Sequence, residues 1–530
     1  MRQKKSMINI RLSTAHYIEK LEYNVNEMKK EIIRATAILV LIGAVYLLLR
    51  IFPLLSHSVA YTYDQGRDMM KSAEIVLYKN PTFIGPTTGI SGLFHGAWWY
   101  YYLTVPFIIF GGEPIGFYIA NMVIHLGSLV VLFFFLKKYF NLYVASLVSL
   151  LTAISPYFIA TSLFIGNNIM TLPAILFFVL THFVMLEQLP KKRIHQNILF
   201  SLMGLSIGMV AEFEFAFGLM IIPVYLVILF TLPVMRRAYF RNLNFLFSLG
   251  GLIFAFAPRM LFELRNNFAQ TRTLLSFFIN PKLYNPKAYG DIFADRLDLV
   301  LGFYRAIFDN PLFMWVMTSA LVAIILGILW KKKPIKFKAS LIFFPLLILG
   351  LFLFSTYYKD NFWPNYYEGF PYLYLICMAL IFAQFDILSK ITNRKHMTIL
   401  ILIVFSMLLS AKLVQKTLTT PIQPEGLAPQ EDVVSYVVSN IGPDKDYCLR
   451  VYTPPVIPYT YDYLFFHQKR QNKIKDASKD FVDNQCWYII ERDDYAERRQ
   501  EWLDANLPVG GFVVQEETFR DVQVQLWGVK

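Results

Sequence analysis

Charged residues are scarce in this sequence. They make up 16% of its 530 residues, whereas soluble globular proteins usually carry about a quarter. Hydrophobic residues reach 56% and aromatic residues 17%. This balance excludes an ordinary soluble enzyme and indicates a polytopic α-helical membrane protein.

Carboxylates are scarcer than cations, and the net charge is +13. In a soluble chain this excess would suggest nucleic-acid binding. Here the Lys and Arg residues cluster in short loops between apolar runs, as membrane orientation requires. Because no soluble basic domain is present to carry it, we expect no nucleic-acid partner.

Cysteine is also rare, with three residues in the chain, too few for a scaffold built on disulfides. Cys377 falls inside an apolar run, whereas Cys448 and Cys486 lie in the polar C-terminal segment. These two could form a single bridge if that segment faces an oxidising space.

The N-terminal segment does not have the pattern of a cleaved signal peptide. Residues 1–34 are too many and too charged for the lead-in to such a peptide. We therefore expect a cytoplasmic N-terminal segment, followed by a first apolar run that stays as a membrane anchor.

Apolar runs long enough to approach the roughly 20 residues of a spanning helix recur along the chain. Inward turns carry Lys or Arg, and outer turns carry most of the carboxylates. The pattern predicts about eleven spans in a multi-pass cell-membrane protein. The predicted spans are 35–55, 115–136, 144–164, 168–186, 196–211, 215–234, 243–262, 313–330, 340–354, 372–385 and 397–414.

This count divides the chain into three parts: the N-terminal segment, a transmembrane domain over residues 35–415, and a soluble domain over residues 416–530. An odd number of spans places the soluble domain outside the cell. Its alternating strand and helix patterns predict a small α/β layer. It has no Gly-rich phosphate loop and no metal-ligand spacing, which favours a supporting or acceptor-binding role.

The first outer loop, residues 56–114, opens with the charged stretch YTYDQGRDMMKSAE. Asp64 and Asp68 are spaced i, i+4, and Arg67 and Lys71 would lie on neighbouring faces of the same helix. One interpretation is a solvated helix end with internal ion pairs. The other is a carboxylate that takes a proton from an acceptor, beside cations that hold a phosphate. Residue types alone do not choose between them.

Further along the loop, the run HGAWWYYYLTVPFIIF is short and rich in Trp and Tyr. These features predict a helix that lies at the membrane interface.

In this order the parts resemble the GT-C membrane glycosyltransferases that use polyprenyl-phosphate sugars, which include protein O-mannosyltransferases and the lipid A aminoarabinose transferase. In YDQGRDMMKSAEIV, Asp64 stands in the place of the catalytic aspartate, Gln65 in that of a glutamate and Arg67 in that of an arginine. HGAWWYYYL is similar to the family's interfacial helix, with Gly96 and Ala97 replacing two prolines.

Two later stretches extend the resemblance to residues 35–415. PRMLFELRNNF resembles the family's Pro-aromatic, Phe-Glu-Leu-Arg stretch, and WPNYYEGFPYLYL its Tyr-Tyr-Pro entry to a late helix. The resemblance implies a GT-C architecture and makes Tyr366 and Tyr367 candidate substrate contacts.

The resemblance also implies inverting sugar transfer from a polyprenyl-phosphate donor to a lipid, glycan or protein acceptor at the outer face of the bilayer. Asp64 would be the general base. Asp68 is expected to pair with Lys71 or to make a second acceptor contact.

The departing phosphate would need cations at the same face, and Arg67, His95, Arg259 and Arg265 are the candidates. Arg259 could instead form an i, i+4 ion pair with Glu263 that finishes a helix. His95 could be an interfacial residue with no chemical task.

Glu212 and Glu214 lie where a predicted membrane hairpin turns, and carboxylates near the bilayer are candidate functional residues. They could contact a cationic or hydroxylated donor sugar, or lie in a water-exposed turn.

Related oligosaccharyl transferases bind a divalent metal through a carboxylate in a later outer loop. The corresponding turn here, FIGNNIMTLP, has Asn167 and Asn168 and no acid. We therefore predict catalysis without a metal or another cofactor.

Two functions of other classes compete with glycosyl transfer. A transporter or flippase of a lipid-linked substrate would share the hydropathy, but the sequence shows no convincing internal repeat. A scaffold that binds a partner through its outer domain would leave the charged loop and the aromatic helix unexplained.

Overall fold

The computed structural model describes residues 2–280, 285–308, 310–331, 335–384, 426–454 and 456–530, with side chains from residue 29 onward. The predicted span 397–414 lies outside these residues.

The N-terminal four fifths of the described chain is almost entirely helical. Its helices are α1 (Arg2–Leu55), α2 (Tyr63–Leu77), α3 (Trp98–Ile109), α4 (Pro114–Tyr139), α5 (Leu142–Ile154), α6 (Pro156–Ser162), α7 (Thr171–Glu187), α8 (Arg193–Phe213), α9 (Phe215–Thr231), α10 (Pro233–Phe240), α11 (Asn244–Arg265), α12 (Ala269–Ile279), α13 (Tyr289–Arg305), α14 (Pro311–Lys331), α15 (Lys338–Ser355) and α16 (Phe370–Phe382). Three short 3₁₀ turns, Asn167–Met170, Arg241–Leu243 and Pro364–Tyr367, join them.

Nine of the ten predicted spans that fall on described residues each correspond mainly to one of these helices, whereas the span 144–164 covers both α5 and α6. Within the described part of the chain, six helices are long and apolar enough to cross a membrane. The number is seven if α5 and α6, which meet at a 61° bend, form one broken span. The fold is therefore a multi-helix membrane fold as predicted, but the count of eleven is not confirmed.

The bend between α5 and α6 has a local cause. Pro156 is the first residue of α6, and a proline has no backbone N–H to continue the hydrogen bonding of the preceding helix. Ser155, the residue between the two helices, has an extended backbone with ψ of 128°, so α5 ends there and the chain turns into α6.

The charged stretch of the first outer loop folds as the helix α2, as its pattern predicts. The Thr62 N–H donates to Gln65 Oε1 over 2.8 Å, which is half of a capping box and fixes where the helix begins. Gln65, Asp68 and Met69 lie on its buried face. The aromatic run that follows forms the short helix α3, again as predicted.

The helices α12 and α13 lie between the predicted spans 243–262 and 313–330. The Glu263 carboxylate accepts the backbone N–H groups of Gln270 over 3.0 Å and Thr271 over 2.9 Å. It thereby satisfies donors that the first turn of α12 leaves without helical partners.

The C-terminal domain is the small α/β layer that the sequence predicts. Its elements are α17 (Leu427–Ile441), β1 (Leu449–Tyr452), α18 (Tyr459–Arg470), β2 (Gln485–Glu491), α19 (Ala496–Asn506), β3 (Phe512–Phe519) and β4 (Val522–Gly528). The sheet has the order β1-β2-β4-β3, with β1 and β2 parallel and the other pairs antiparallel. A disulfide joins Cys448, beside β1, to Cys486 in β2.

Candidate active site

The charged residues of α2 form one connected group. Arg67 Nη1 lies 2.8 Å from Asp64 Oδ1, and Arg67 Nη2 lies 2.8 Å from Asp68 Oδ1. Arg67 Nε also donates to Asp68 Oδ1 over 2.8 Å. The guanidinium group therefore bridges the two carboxylates that the sequence singles out.

The two aspartates differ in their surroundings. The Asp64 side chain is 47% exposed, whereas that of Asp68 is 3% exposed. The second Asp68 oxygen accepts the indole N–H of Trp99 over 2.7 Å. Asp68 is thus enclosed by Arg67 and Trp99, and Asp64 faces outward from the same helix.

The expected pairing of Asp68 with Lys71 was wrong. Lys71 Nζ lies 2.7 Å from Glu74 Oε2 instead, because Asp68 points to the buried side of α2. Burial raises the pKa of Asp68 to about 6, and the Arg67 guanidinium limits the rise.

His95 is buried and feels the charges of two arginines, Arg259 and Arg67. Burial first, and then the charges of Arg259 and Arg67, lower its pKa to about 3. Its Nδ1 accepts the backbone N–H of Phe215 over 3.3 Å. The imidazole is therefore neutral near pH 7 and offers this site a hydrogen bond instead of a charge.

Arg259 is fixed by partners from three segments. Its Nε lies 2.6 Å from Glu212 Oε1, and its Nη1 donates to the Phe94 carbonyl and to Gln270 Oε1, each over 2.9 Å. The alternative i, i+4 ion pair with Glu263 was wrong, since that carboxylate caps α12. One oxygen of Glu212 and Nη2 of Arg259 are buried without a hydrogen-bond partner in the described structure.

The loop that carries His95 is held against this ion pair. The Gly96 N–H donates to the Glu212 carbonyl over 2.6 Å, and a Cβ atom at Gly96 would lie 2.6 Å from Glu212 Cβ. This close approach needs glycine. Arg259 and Arg67 both lie close enough to His95 to lower its pKa, so three of the four residues predicted to bind the donor phosphate are near one another.

The hairpin turn with Glu212 and Glu214 is buried, so the water-exposed alternative was wrong. Glu212 is 0% and Glu214 1% exposed. Glu214 Oε2 accepts from Asn365 Nδ2 over 3.2 Å. The Glu214 carboxylate also adds to burial in raising the pKa of Tyr366, which places that candidate contact beside it.

A further buried carboxylate, Glu368, was missed by sequence reasoning. It accepts hydrogen bonds from the Tyr157 hydroxyl and, over 3.0 Å, from Asn168 Nδ2. Burial raises its pKa to about 7. The sequence feature that could have identified Glu368 is a single acidic residue inside the aromatic run NYYEGFP. Trp99 was also missed as a site residue. Its position in the aromatic run of α3 was the sequence feature that could have pointed to it.

Two predicted site residues stand apart from these groups. Arg265 is exposed in the last turn of α11. Tyr367 is fully buried, contacts the Ser355 hydroxyl and packs against Phe370. The structure does not bring either residue to Arg67.

In the described ranges, no group of three or more His, Cys, Asp or Glu residues is placed to hold a metal ion. Catalysis without a metal stays a prediction.

Comparison with known proteins finds similar structures but no family model or curated protein with a matching sequence. ArnT from Cupriavidus metallidurans in the apo state aligns with a TM-score of 0.56 and 13% identity, over 94% of this chain and 98% of ArnT. The same protein bound to undecaprenyl phosphate aligns with a TM-score of 0.54 and 13% identity, over 93% and 97% of the two chains.

The archaeal oligosaccharyltransferase AglB from Archaeoglobus fulgidus, in complex with an inhibitory peptide and a dolichol-phosphate, aligns with a TM-score of 0.46 and 12% identity, over 93% of this chain and 74% of AglB. The alignment with ArnT extends over nearly all of both chains and includes the C-terminal domain. The chain therefore has the GT-C membrane fold seen in ArnT.

Proposed function

We propose that this chain is an integral membrane glycosyltransferase that moves a sugar from a polyprenyl-phosphate donor to an acceptor hydroxyl or amine at the outer membrane face. The observation that carries the proposal is the Asp64–Arg67–Asp68 group on α2, at the start of the first outer loop of a GT-C fold. It puts a carboxylate and a cation side by side, as a base and a phosphate site require.

Asp64 is the general base in this proposal. Its side chain is 47% exposed and its ion pair is with Arg67, so an acceptor can reach it. Asp68 has both oxygens occupied by Arg67 and Trp99 and is closed off from solvent. We assign Asp68 the task of holding Arg67 in place.

The proposed step is an inverting displacement. The Asp64 carboxylate takes the proton of the acceptor group, whose oxygen or nitrogen forms a bond to C1 of the sugar. The bond between C1 and the phosphate oxygen breaks, and its electron pair stays on the phosphate. The polyprenyl phosphate thus gains negative charge as it leaves.

Arg67 would stabilise this charge. In the structure its Nη1 faces Asp64 and its Nη2 faces Asp68. An arriving phosphate would compete with Asp64 for Nη1, and Asp68 would keep the other side of the guanidinium in place. The competition would release the Asp64 carboxylate to act as a base once the donor is bound.

Arg259 and His95 would complete the phosphate site. The buried Nη2 of Arg259 is left without a partner in the described structure, and a donor phosphate would supply one. The neutral His95, bonded to the backbone at Phe213 and Phe215, would shape this site without adding charge. The ArnT structure bound to undecaprenyl phosphate supports a polyprenyl-phosphate donor for this chain.

The test compares the wild-type protein with Asp64→Asn after purification and reconstitution in liposomes that contain a labelled polyprenyl-phosphate sugar and an envelope extract as acceptor. We expect the substitution to lower kcat by about 10²- to 10⁴-fold, the usual contribution of a general base. Asp291→Asn, an exposed aspartate on the outer helix α13, is the matched control and should keep wild-type activity.

Two results would contradict the proposal. Wild-type turnover by a folded Asp64→Asn protein would remove Asp64 as the base. If the wild-type protein moved the labelled donor between leaflets without consuming it, the chain would be a flippase instead.

A further inference from the structure

The helix α18 of the C-terminal domain lies across the first outer loop and contacts both of its ends. Its first residues, Tyr459 and Thr460, meet α2 at Gly66. Its second turn meets the turn before α4, where the Tyr463 hydroxyl donates to the Gly112 carbonyl over 2.6 Å. One rigid helix thus spans the loop that carries Asp64.

The contact at Gly66 is between backbones. A Cβ atom at this position would lie 2.6 Å from Thr460 N and closer still to the Tyr459 carbonyl. Cβ atoms do not approach other atoms within 3.0 Å. Because the obstacle is backbone and not the end of a flexible side chain, any other residue at position 66 must push α2 and α18 apart.

Backbone and side-chain hydrogen bonds hold the chain just before α2 against the C-terminal domain. The Leu427 N–H donates to the Val59 carbonyl over 3.0 Å, and the Ala428 N–H donates to the His57 carbonyl over 3.2 Å. The Tyr61 hydroxyl donates to the Thr460 carbonyl over 3.2 Å. The chain entering α2 is therefore fastened to α17 and α18 just before Asp64.

The C-terminal end of α18 is also held, through the side chains of Arg470 and His467. Arg470 Nη1 donates to the Gly111 carbonyl over 3.0 Å, and His467 Nε2 lies 2.9 Å from Glu113 Oε2. The hydrogen bond and charge of His467 lower the pKa of Glu113. With both ends fixed, α18 cannot tilt away from α2 without breaking contacts at the opposite end.

We propose that the C-terminal domain is a positioning element of the active site and that Gly66 is its contact point. Gly66 lies in the sequence between the proposed base, Asp64, and the proposed phosphate ligand, Arg67, so the contact fixes the helix at the level of the reacting groups. This assignment rests on the proposed glycosyl transfer. A shift of about 1 Å in reacting groups can cost on the order of 10²-fold in rate.

Gly66→Ala in the full-length reconstituted protein tests this assignment. Alanine favours a helix over glycine by about 1 kcal/mol, so α2 itself gains from the change and only its docking on α18 suffers. Gly290→Ala is the matched control, because Gly290 lies in the outer helix α13 and a Cβ atom there meets nothing within 4 Å. Tyr463→Phe removes the hydrogen bond from the second turn of α18 to Gly112 without adding a clash.

We expect Gly66→Ala to lower kcat on the order of 10- to 100-fold, with less than about a threefold change in the donor KM, because a polyprenyl chain is bound mainly through apolar burial in the bilayer region. Hydrogen exchange of α2 amides should rise in Gly66→Ala and, to a smaller extent, in Tyr463→Phe. Gly290→Ala should match the wild-type protein in both measurements.

The exchange measurement needs no activity, so it separates this inference from the proposed function. If the wild-type protein transfers no sugar but exchange in α2 rises as expected, glycosyl transfer fails while the docking stands. Wild-type kcat and wild-type exchange in Gly66→Ala would overturn the positioning role. So would a fall in kcat with unchanged exchange in α2 for both Gly66→Ala and Tyr463→Phe.

Discussion

At the level of single residues, Asp68 shows two opposing effects on the same carboxylate. Its ion pair with Arg67 at 2.8 Å favours the ionised form, while its burial favours the neutral form. Burial is the larger effect, since the pKa of Asp68 is raised to about 6. A charge kept at a cost in stability is typical of residues retained for function.

Because ionising the buried Asp68 costs stability, the stability difference between Asp68→Asn and the wild-type protein should depend on pH. The folded chain holds the Asp68 proton more tightly than the unfolded chain, so wild-type stability falls as pH rises from about 4 to about 6. Asparagine resembles the protonated aspartate and escapes this loss. We expect the variant to be more stable than the wild-type protein at pH 7 and equally stable near pH 4, yet to have a lower kcat because Arg67 loses its anchor.

Unfolding in mixed detergent micelles at the two pH values, together with the transfer assay, measures both effects. A variant less stable than the wild-type protein at pH 7 would mean that the ion pair with Arg67 outweighs burial. Asp291→Asn, in an exposed position, is the matched control for the effect of a new asparagine on the unfolding measurement.

At the level of elements, the Arg259–Glu212 ion pair joins α11 to α8, and Arg259 also holds the loop at Phe94. The Glu212 side chain is 0% and that of Arg259 12% exposed. Removing one partner of a buried ion pair leaves an uncompensated charge and costs roughly 3–5 kcal/mol, whereas replacing both is often nearly neutral.

We therefore expect Glu212→Gln and Arg259→Met each to lower the free energy of unfolding by roughly 3 kcal/mol or more. The double variant should recover much of that loss, as a double-mutant cycle on detergent-solubilised protein would show. Additive losses would mean that the two side chains do not act as a pair. All three variants should transfer sugar poorly, since Arg259 is also a proposed phosphate ligand.

Most elements could be predicted from the sequence because their signals are local. The Thr62–Gln65 spacing, the aromatic run of α3 and the alternating strands of the C-terminal domain each depend on neighbours a few residues apart. The partner of Arg259 could not be predicted. A local rule favours Glu263, four residues on, but the chain folds so that Glu212, 47 positions away, lies closer.

The same limit applies to the site. Motif resemblance brought together Asp64, Arg67, His95 and Arg259, because the order of parts along the chain is itself informative. It gave no reason to choose Trp99 as the partner of Asp68 or Glu368 as the partner of Asn168, since both contacts arise only when separate loops meet.

At the level of the whole molecule, basic loops gather at one end of the bundle and the C-terminal domain is docked at the other. At one end Arg193 donates to Asn244 Oδ1 over 2.5 Å, which brings the basic loop before α8 to the basic segment around α10. Lys137, at the end of α4, lies 3.8 Å from Glu31 at the start of the apolar part of α1. The C-terminal domain is docked at the other end of α1, on residues 57–61.

This arrangement predicts sidedness. Basic loops stay in the cytoplasm, so the end with Arg193 and Lys137 should face inward and the C-terminal domain outward. The Cys448–Cys486 disulfide agrees with an oxidising compartment on that side. It also lowers the background for thiol labelling, since Cys377 is then the free cysteine of the chain and lies in the apolar helix α16.

Labelling of intact cells with a membrane-impermeant maleimide would test this orientation. Glu517→Cys places a thiol on the exposed strand β3, and Lys191→Cys places one in the exposed loop before α8. We expect the first to react in intact cells and the second only after permeabilisation, with the unsubstituted protein as the blank. The reverse pattern would put Asp64 and Arg67 in the cytoplasm and contradict sugar transfer at the outer face. Reaction of both thiols in intact cells would instead contradict the separation of the two ends by the bilayer.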